Sequence, residues 1–138
     1  METYRSVVFP WHCDHFGHMN ARYYAHHFDD ASFHLGAISG ISHRDLKTRG
    51  VSVVTARSTI DFIHEMSSGD LLVVKSGFTA AGNKSVKFAS NMYNADTDVL
   101  CATQRAVEVF FDETTRRSTT MPDDVRVLLN ARLLPECG

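Results

Sequence analysis

The chain has 138 residues, 43% of them hydrophobic and 22% charged, with a formal net charge of −2. These values describe one globular domain, 1–138, and exclude a disordered chain. They provide no basic surface for nucleic acid, and no apolar run approaches the roughly 20 residues that a membrane-spanning helix needs.

The cysteines and the N-terminus bear on the compartment. Cys13, Cys101 and Cys137 form an odd, scattered set, which is typical of free thiols rather than of a disulfide framework. The first residues lack the apolar core of a signal peptide. We therefore expect a cytoplasmic protein that binds neither nucleic acid nor a membrane.

The N-terminal quarter of the sequence predicts a strand and then a long helix. The apolar run 7–9 indicates a strand that ends at Pro10. Apolar residues then recur at steps of three and four over 20–39, which predicts one buried helix face. Asn20 is a suitable N-cap, and Gly36 and Gly40 supply the freedom on which the helix can end.

The rest of the sequence predicts mainly strands. A polar connection with one short turn, 41–50, precedes strands at 51–62, 71–81, 84–94 and 99–111, with turns at 67–70, 82–83, 94–98 and 112–115. We expect a bend at Gly77 and a tail helix from about Thr120–Asp123 to Arg132. The first of these strands has one apolar face, formed by Val54, Ala56, Ser58, Ile60 and Phe62.

These elements predict an α+β fold in which the long helix covers one face of a curved antiparallel sheet of about five strands. The helix is the only apolar layer available to bury that face. The open sheet still has edges, and an unpaired edge can bind a second copy of the chain. We therefore expect at least a dimer.

A cluster of reactive side chains lies between the first strand and the helix, in 11–20. It contains Asp14, three histidines, one thiol and Gly17. The cluster lies directly before a helix N-terminus, where unpaired amides and the helix dipole can stabilise a developing negative charge. Asp14 can attack a carbonyl or activate water, and amides near Gly17, His18 and Met19 can hold an oxyanion.

This segment resembles the hotdog-fold thioesterases, and within them the 4-hydroxybenzoyl-CoA thioesterase-like family. That family carries Asp-x-Asp-x-x-Gly, often continued by His-Val/Met-Asn, and then a helix of the type Tyr-x-x-x-Phe-Asp/Glu-x-Ala. Asp14, Gly17–Asn20 and the helix residues Tyr24, Phe28 and Ala31 match it. His12 departs from it, because the family has its first Asp there.

The resemblance implies a hotdog fold and an acyl-CoA thioesterase that needs neither metal nor cofactor. Asp14 would be its nucleophile or general base, with Gly17 and His18 completing the catalytic loop. Asn20, Tyr24 and Phe62 are the substrate-binding candidates. The partner would be acyl-CoA, and the active sites would be shared between subunits of a homodimer or homotetramer.

Structural roles compete with several of these assignments. Asn20 also suits a helix cap, His18 a loop hydrogen bond, and Tyr24 the core. Asp30 lies one helical turn from His26 and His27, which favours a local polar pair, although related hotdog enzymes use a helix carboxylate such as Asp29 or Asp30 for catalysis. Loop histidines are also commonly just solvated.

Three other hypotheses remain. An enoyl-CoA hydratase of the same fold is disfavoured because Asp14 and His18 are four positions apart rather than five. A non-catalytic acyl-CoA-binding module is favoured by His12. A metal site at His12, His15 and His18 would require a helical loop and lacks the usual ligand spacing.

Substrate preference rests on bulky residues near the predicted pocket. Trp11, Tyr24, Phe28 and Phe62 favour short-to-medium or aromatic acyl groups over long chains. The candidates for contacts with the CoA phosphates are Arg57, Lys75, Lys84, Lys87, Arg116 and Arg117.

Overall fold

The computed structural model describes residues 1–134, and Cys137 lies outside them. Its strands are β1 (Glu2–Val7), β2 (Val51–Phe62), β3 (Leu71–Ala81), β4 (Ser85–Asn94), β5 (Leu100–Asp112) and β6 (Arg117–Ser118). Its α-helices are α1 (Ala21–Ile38), α2 (His43–Thr48) and α3 (Asp123–Arg132). The strands form one antiparallel sheet in the order β1–β3–β4–β5–β2, and β6 pairs with β5. The predicted α+β architecture is confirmed.

The residues that flank helix α1 explain where it begins and ends. The side chain of Asn20 accepts from the Arg22 amide at 3.2 Å, as predicted for an N-cap. Gly40, with φ of +84°, follows the helix end, but Gly36 lies inside the helix. A Cβ on Gly36 would lie 2.7 Å from the carbonyl oxygen of Ile41, so this glycine permits the chain to return close to α1.

The helix covers the sheet with two separate cores, one at each end. The loop-side core contains Val8, Met19, Tyr24, Phe28, Ala31, Met66, Leu72, Val74, Met92, Cys101 and Ala102. The second core, toward the C-terminal end of α1, contains Leu35, Ile41, Leu46, Phe78, Val86, Phe88, Ala106, Phe110, Met121, Val125 and Leu129. The first supports the cluster around Asp14, and the second lies beneath α2 and α3.

Strand β2 differs from its predicted packing. It lies at the edge of the sheet, and a register irregularity between Thr55 and Arg57 interrupts the alternation of its side chains. Val54 and Phe62 are 44% and 57% exposed, so the expected apolar face is largely unburied within one chain. The periodicity predicts the strand, but it does not predict that the strand lies at the edge of the sheet, where most of this face is exposed.

The sequence predicts a bend in β3 at Gly77, and the register irregularity of this strand lies just beyond it, between Phe78 and Ala80. Gly77 instead provides space for Leu134, whose side-chain carbons would lie 2.7 Å from a Cβ at this position. The glycine is therefore explained by packing rather than by a bulge.

The connection at 41–50 contains the short helix α2, and the tail helix α3 is confirmed. Arg49, at the end of α2, donates to Asp124 of α3 at 2.8 and 2.6 Å, which ties the two helices together. Within residues 1–134, no helix is long and apolar enough to span a membrane.

Candidate active site

The backbone of the Asp14 loop is closed by its own hydrogen bonds. The amide of Asp14 donates to the carbonyl of His18 at 2.9 Å, and the amide of Gly17 donates to the carbonyl of Asp14 at 3.0 Å. Gly17 has φ of +83°, a conformation that favours glycine. The sequence therefore folds here into a tight loop directly before α1.

The Asp14 carboxylate is half-buried within this loop. Its Oδ1 accepts from the amide of Phe16 at 2.9 Å and from the amide of His18 at 3.4 Å. Amide donors fix the direction of a carboxylate. Asp14 is thus an oriented carboxylate with solvent access, as nucleophilic attack or proton abstraction requires.

The amides predicted as oxyanion donors all have partners within the chain. The Gly17 and His18 amides donate to Asp14, and the Met19 amide donates to the carbonyl of Met66 at 2.7 Å. The contact of the His18 amide, at 3.4 Å, is the longest of the three and the easiest to exchange. Ala21 is the first residue of α1, so its amide has no acceptor in the helix.

His18 lies at the surface beside the loop. Its Nε2 is 3.2 Å from Oε2 of Glu65, and the two side chains are 40% and 71% exposed. An isolated β-bridge joins His18 to Ser67, so the loop is attached to the turn before β3. This placement fits both the loop hydrogen bond and the substrate role considered for His18.

The predicted substrate-binding residues occupy three environments. Tyr24 is only 5% exposed and lies in the loop-side core, and Asn20 caps α1. Phe62 is 57% exposed and packs edge-on against Tyr24 with ring centroids 5.0 Å apart. Trp11 is 66% exposed and stacks on Phe9. Phe62 and Trp11 are therefore the bulky candidates that a ligand can reach from solvent.

His12, the departure from the family motif, connects the loop to α1. Its Nδ1 accepts from the Phe9 amide at 3.1 Å, and its carbonyl accepts from the Asn20 amide at 2.8 Å. Its buried ring packs 4.6 Å, centroid to centroid, from Tyr23. Burial, followed by repulsion from His26, lowers the pKa of His12. A neutral imidazole thus provides packing and a backbone acceptor at this position.

A polar chain, in which only His27 is fully buried, continues from β1 along α1. The hydroxyl of Tyr4 donates to Oδ2 of Asp30 at 3.2 Å and lies 3.1 Å from Nδ1 of His27. His26 completes the chain, with Nε2 3.4 Å from the same Asp30 oxygen. The predicted local pair is therefore confirmed for His26, whereas His27 reaches Asp30 only through Tyr4.

His27 is the titratable group at the centre of this chain. The single hydroxyl hydrogen of Tyr4 is used in the hydrogen bond to Asp30, so Tyr4 can only accept from His27. Nδ1 of His27 is therefore the donor, and its Nε2 keeps a lone pair. Nε2 is buried and has no hydrogen-bond partner within residues 1–134. Burial and the charges of His12 and His26 lower the pKa of His27 to about 4.

Glu108 is a candidate functional residue that none of the sequence motifs indicates. This residue lies on β5 and faces α1, in a cleft between α1, α2 and the sheet. Burial, followed by repulsion from Asp29, raises its pKa to about 7. A signal was present, because Glu108 alternates in β5 with the buried residues Ala106 and Phe110, which places it on the inward face.

The histidines of the loop do not form a metal site with its thiol or carboxylate. Within the described part of the chain, no group of three or more His, Cys, Asp or Glu side chains is arranged to hold a metal ion. His12 turns toward α1, whereas His18 turns toward Glu65.

Solved structures identify the class of fold. A Staphylococcus aureus protein determined in complex with CoA matches with a TM-score of 0.88 at 18% identity, covering 100% of this chain and 89% of that one. A 1,4-dihydroxy-2-naphthoyl-CoA thioesterase from Synechocystis matches with a TM-score of 0.81 at 17% identity, covering 92% and 93%. The probable thioesterase YbaW from Escherichia coli matches with a TM-score of 0.82 at 17% identity, covering 95% and 98%. The chain therefore has the hotdog fold of thioesterases.

Family membership follows from the sequence model that matches most of the chain. The model of the Thioesterase-like superfamily matches residues 8–129, and the chain belongs to this family. No curated protein matches the chain significantly. The matched range includes the Asp14 loop, α1 and the strands that complete the sheet.

Proposed function

We propose that this protein is an acyl-CoA thioesterase whose reaction depends on the Asp14 carboxylate. The observation that carries the proposal is the orientation of that carboxylate by the Phe16 and His18 amides, directly before α1. Family membership supports the thioester class, and the neighbour in complex with CoA supports a CoA ester as the partner.

Two chemical routes use the same carboxylate. As a nucleophile, Asp14 attacks the thioester carbon, the CoA thiolate leaves and takes a proton, and water then hydrolyses the acyl–aspartyl anhydride. As a general base, Asp14 takes a proton from water while the hydroxide oxygen attacks the same carbon. Both routes give free acid and CoA, and both place negative charge on the carbonyl oxygen.

The proposed oxyanion donors are the amides of Ala21, at the start of α1, and of His18, in the loop before it. The Ala21 amide has no helical acceptor. The His18 amide can exchange its long contact with Asp14 for a thioester oxygen, because the shorter bond from the Phe16 amide still orients the carboxylate. The hydrogen bond from the amide to the thioester oxygen would strengthen as negative charge develops there, because an amide bonds an oxyanion more strongly than a neutral carbonyl. His18 would orient substrate or water beside Glu65.

The acyl group would be short to medium or aromatic. Phe62 and Trp11 are exposed near the loop and can bound an acyl pocket, whereas Tyr24 and Phe28 support it from the core. A methylene that such a pocket cannot accommodate would forfeit about 1 kcal/mol of binding. Rates with acetyl-, hexanoyl-, benzoyl- and palmitoyl-CoA test this preference, and a maximum with palmitoyl-CoA would contradict it.

The proposed assembly is a homodimer or a homotetramer of such dimers, with sites near the shared edge. Within residues 1–134, the 12-residue strand β2 pairs only with β5, and Val54 and Phe62 in this strand and Ile63 after it have exposed side chains. A second β2 can pair with this edge in antiparallel orientation and cover those side chains. Sedimentation of a monomer at micromolar concentration would contradict this assembly.

The decisive experiment measures thiol release from a panel of acyl-CoAs by wild type, Asp14→Asn and Asp96→Asn. Asp96 lies exposed in the turn between β4 and β5, so its variant is a matched control. Loss of the carboxylate should lower kcat by about 10²–10⁴-fold, the range typical of a lost acid–base group. The control should retain the wild-type rate.

Equal rates for wild type and Asp14→Asn would exclude the proposed role of Asp14. Wild-type protein that binds CoA esters by calorimetry but hydrolyses none would instead indicate a non-catalytic binding module. Loss of enoyl-CoA absorbance in the same preparation would indicate a hydratase.

A further inference from the structure

A cleft at the opposite end of α1 from Asp14 has the composition of a ligand site. It opens to solvent between the C-terminal half of α1, α2 and the inward face of the sheet. Three aromatic rings, those of Phe78, Phe88 and Phe110, contribute to its wall. Its lining shares no residue with the Asp14 loop.

The Glu108 carboxyl is the acidic group in this wall. Within residues 1–134, its oxygens take part in no ion pair, and no lysine or arginine lines the cleft. His43 also lines the cleft, but burial lowers its pKa and favours the neutral ring. The cleft therefore holds a carboxyl group without a cation to compensate its charge.

A second carboxylate strengthens the negative potential. Asp29 lies on α1 close enough to raise the pKa of Glu108 by repulsion. A carboxylate in apolar surroundings is costly unless it is paired, so a cation that enters the cleft gains an attraction that water otherwise screens. Aromatic faces add a favourable contact with the same charge.

We propose that this cleft binds an organic ammonium ion, a primary amine attached to a compact apolar body. The ammonium group pairs with Glu108 and is further attracted by Asp29, while the apolar body packs against the phenylalanine rings. Anionic ligands are disfavoured by the two carboxylates, and neutral ligands leave Glu108 unpaired. This inference does not depend on the thioesterase proposal.

Binding should be coupled to deprotonation of Glu108. With a pKa of about 7, most of this group is protonated one pH unit below neutrality and most is ionised one unit above. An amine should therefore bind about tenfold more tightly near pH 8 than near pH 6, because only the ionised fraction is competent. A neutral analogue has no charge to pair and should not show this increase.

The test is a titration of the full chain with benzylamine and with benzyl alcohol, followed by backbone amide chemical shifts. Benzylamine is protonated at both pH values and differs from the alcohol only in its polar group. We expect saturable shifts in β5 and α1 with the amine and at least about tenfold weaker binding of the alcohol. Glu108→Gln should remove this difference, whereas Glu113→Gln, at an exposed position, should preserve it.

Several results would overturn the proposal. They are equal binding of amine and alcohol, the absence of amine shifts up to millimolar concentration, and undiminished amine binding by Glu108→Gln. If Glu108→Gln does not fold, the wild-type comparison at the two pH values decides, and amine binding that does not strengthen with pH refutes the role of Glu108. None of these results depends on whether Asp14 hydrolyses a thioester.

Discussion

Near the two ends of α1 lie ionisable groups of opposite kinds, the buried His27 and the half-buried Glu108. At the loop end, His27 lies in the polar chain with Tyr4 and Asp30, and burial lowers its pKa to about 4. At the cleft end, Glu108 lies among aromatic side chains, and burial raises its pKa to about 7. Both shifts favour the neutral form. The lowered pKa favours the deprotonated ring of His27, and the raised pKa favours the protonated carboxyl of Glu108.

The two carboxyl groups near α1 differ in their hydrogen-bond donors. The loop end supplies amide donors, so its carboxylate, Asp14, is held in one orientation. The cleft end supplies no donor to Glu108 within the described residues, so that carboxyl is suited to pair with an incoming cation. Local hydrogen bonding, rather than residue type, separates a catalytic candidate from a binding candidate.

The largest expected effect on stability is at the cleft end. The folded-state pKa of Glu108 is above its unfolded value, so its contribution is present at acid pH and is lost as pH rises from about 4.5 through 7. Glu108→Gln should therefore raise the free energy of unfolding near pH 8 by on the order of 2–3 kcal/mol. Urea denaturation measures it, and Glu113→Gln is the control. A gain that does not vary with pH would contradict this account.

At the loop end we expect a smaller effect on the free energy of unfolding, with the opposite dependence on pH. The folded-state pKa of His27 is below its unfolded value of about 6.5, so its contribution is present above 6.5 and is lost as pH falls toward 4. Between about pH 7 and pH 5, wild type should lose on the order of 2 kcal/mol more than His27→Gln. His15→Gln, at an exposed loop position, is the matched control. Equal losses in wild type and His27→Gln would refute the assignment.

The smallest effect concerns the hydroxyl that connects His27 to Asp30. Tyr4→Phe retains the ring and removes both hydrogen bonds, so unfolding at neutral pH should become easier by about 1–2 kcal/mol. Thermal and urea unfolding measure this loss. An unchanged stability would mean that water replaces the hydroxyl and that the polar chain does not stabilise this end of α1.

Elements whose signals are local could be predicted from the sequence. Periodicity predicted α1 and the four long strands after it, and Asn20 identified the helix start because a cap depends on neighbours in the chain. The motif around Gly17 placed Asp14 in a tight loop before the helix. Family membership was likewise contained in the sequence pattern.

Groups whose surroundings come from distant segments follow only from the tertiary structure. The sequence does not predict burial of His12 and His27, but the structure buries both and packs their rings 5.3 Å apart, centroid to centroid. Glu108 follows the inward alternation of β5, yet its isolation from cations depends on α1 and α2, which are far away in the chain. The apolar residues of β2 were expected to be buried, and the edge position of that strand exposes them. Desolvation is a property of the assembled surroundings, and local periodicity does not encode it.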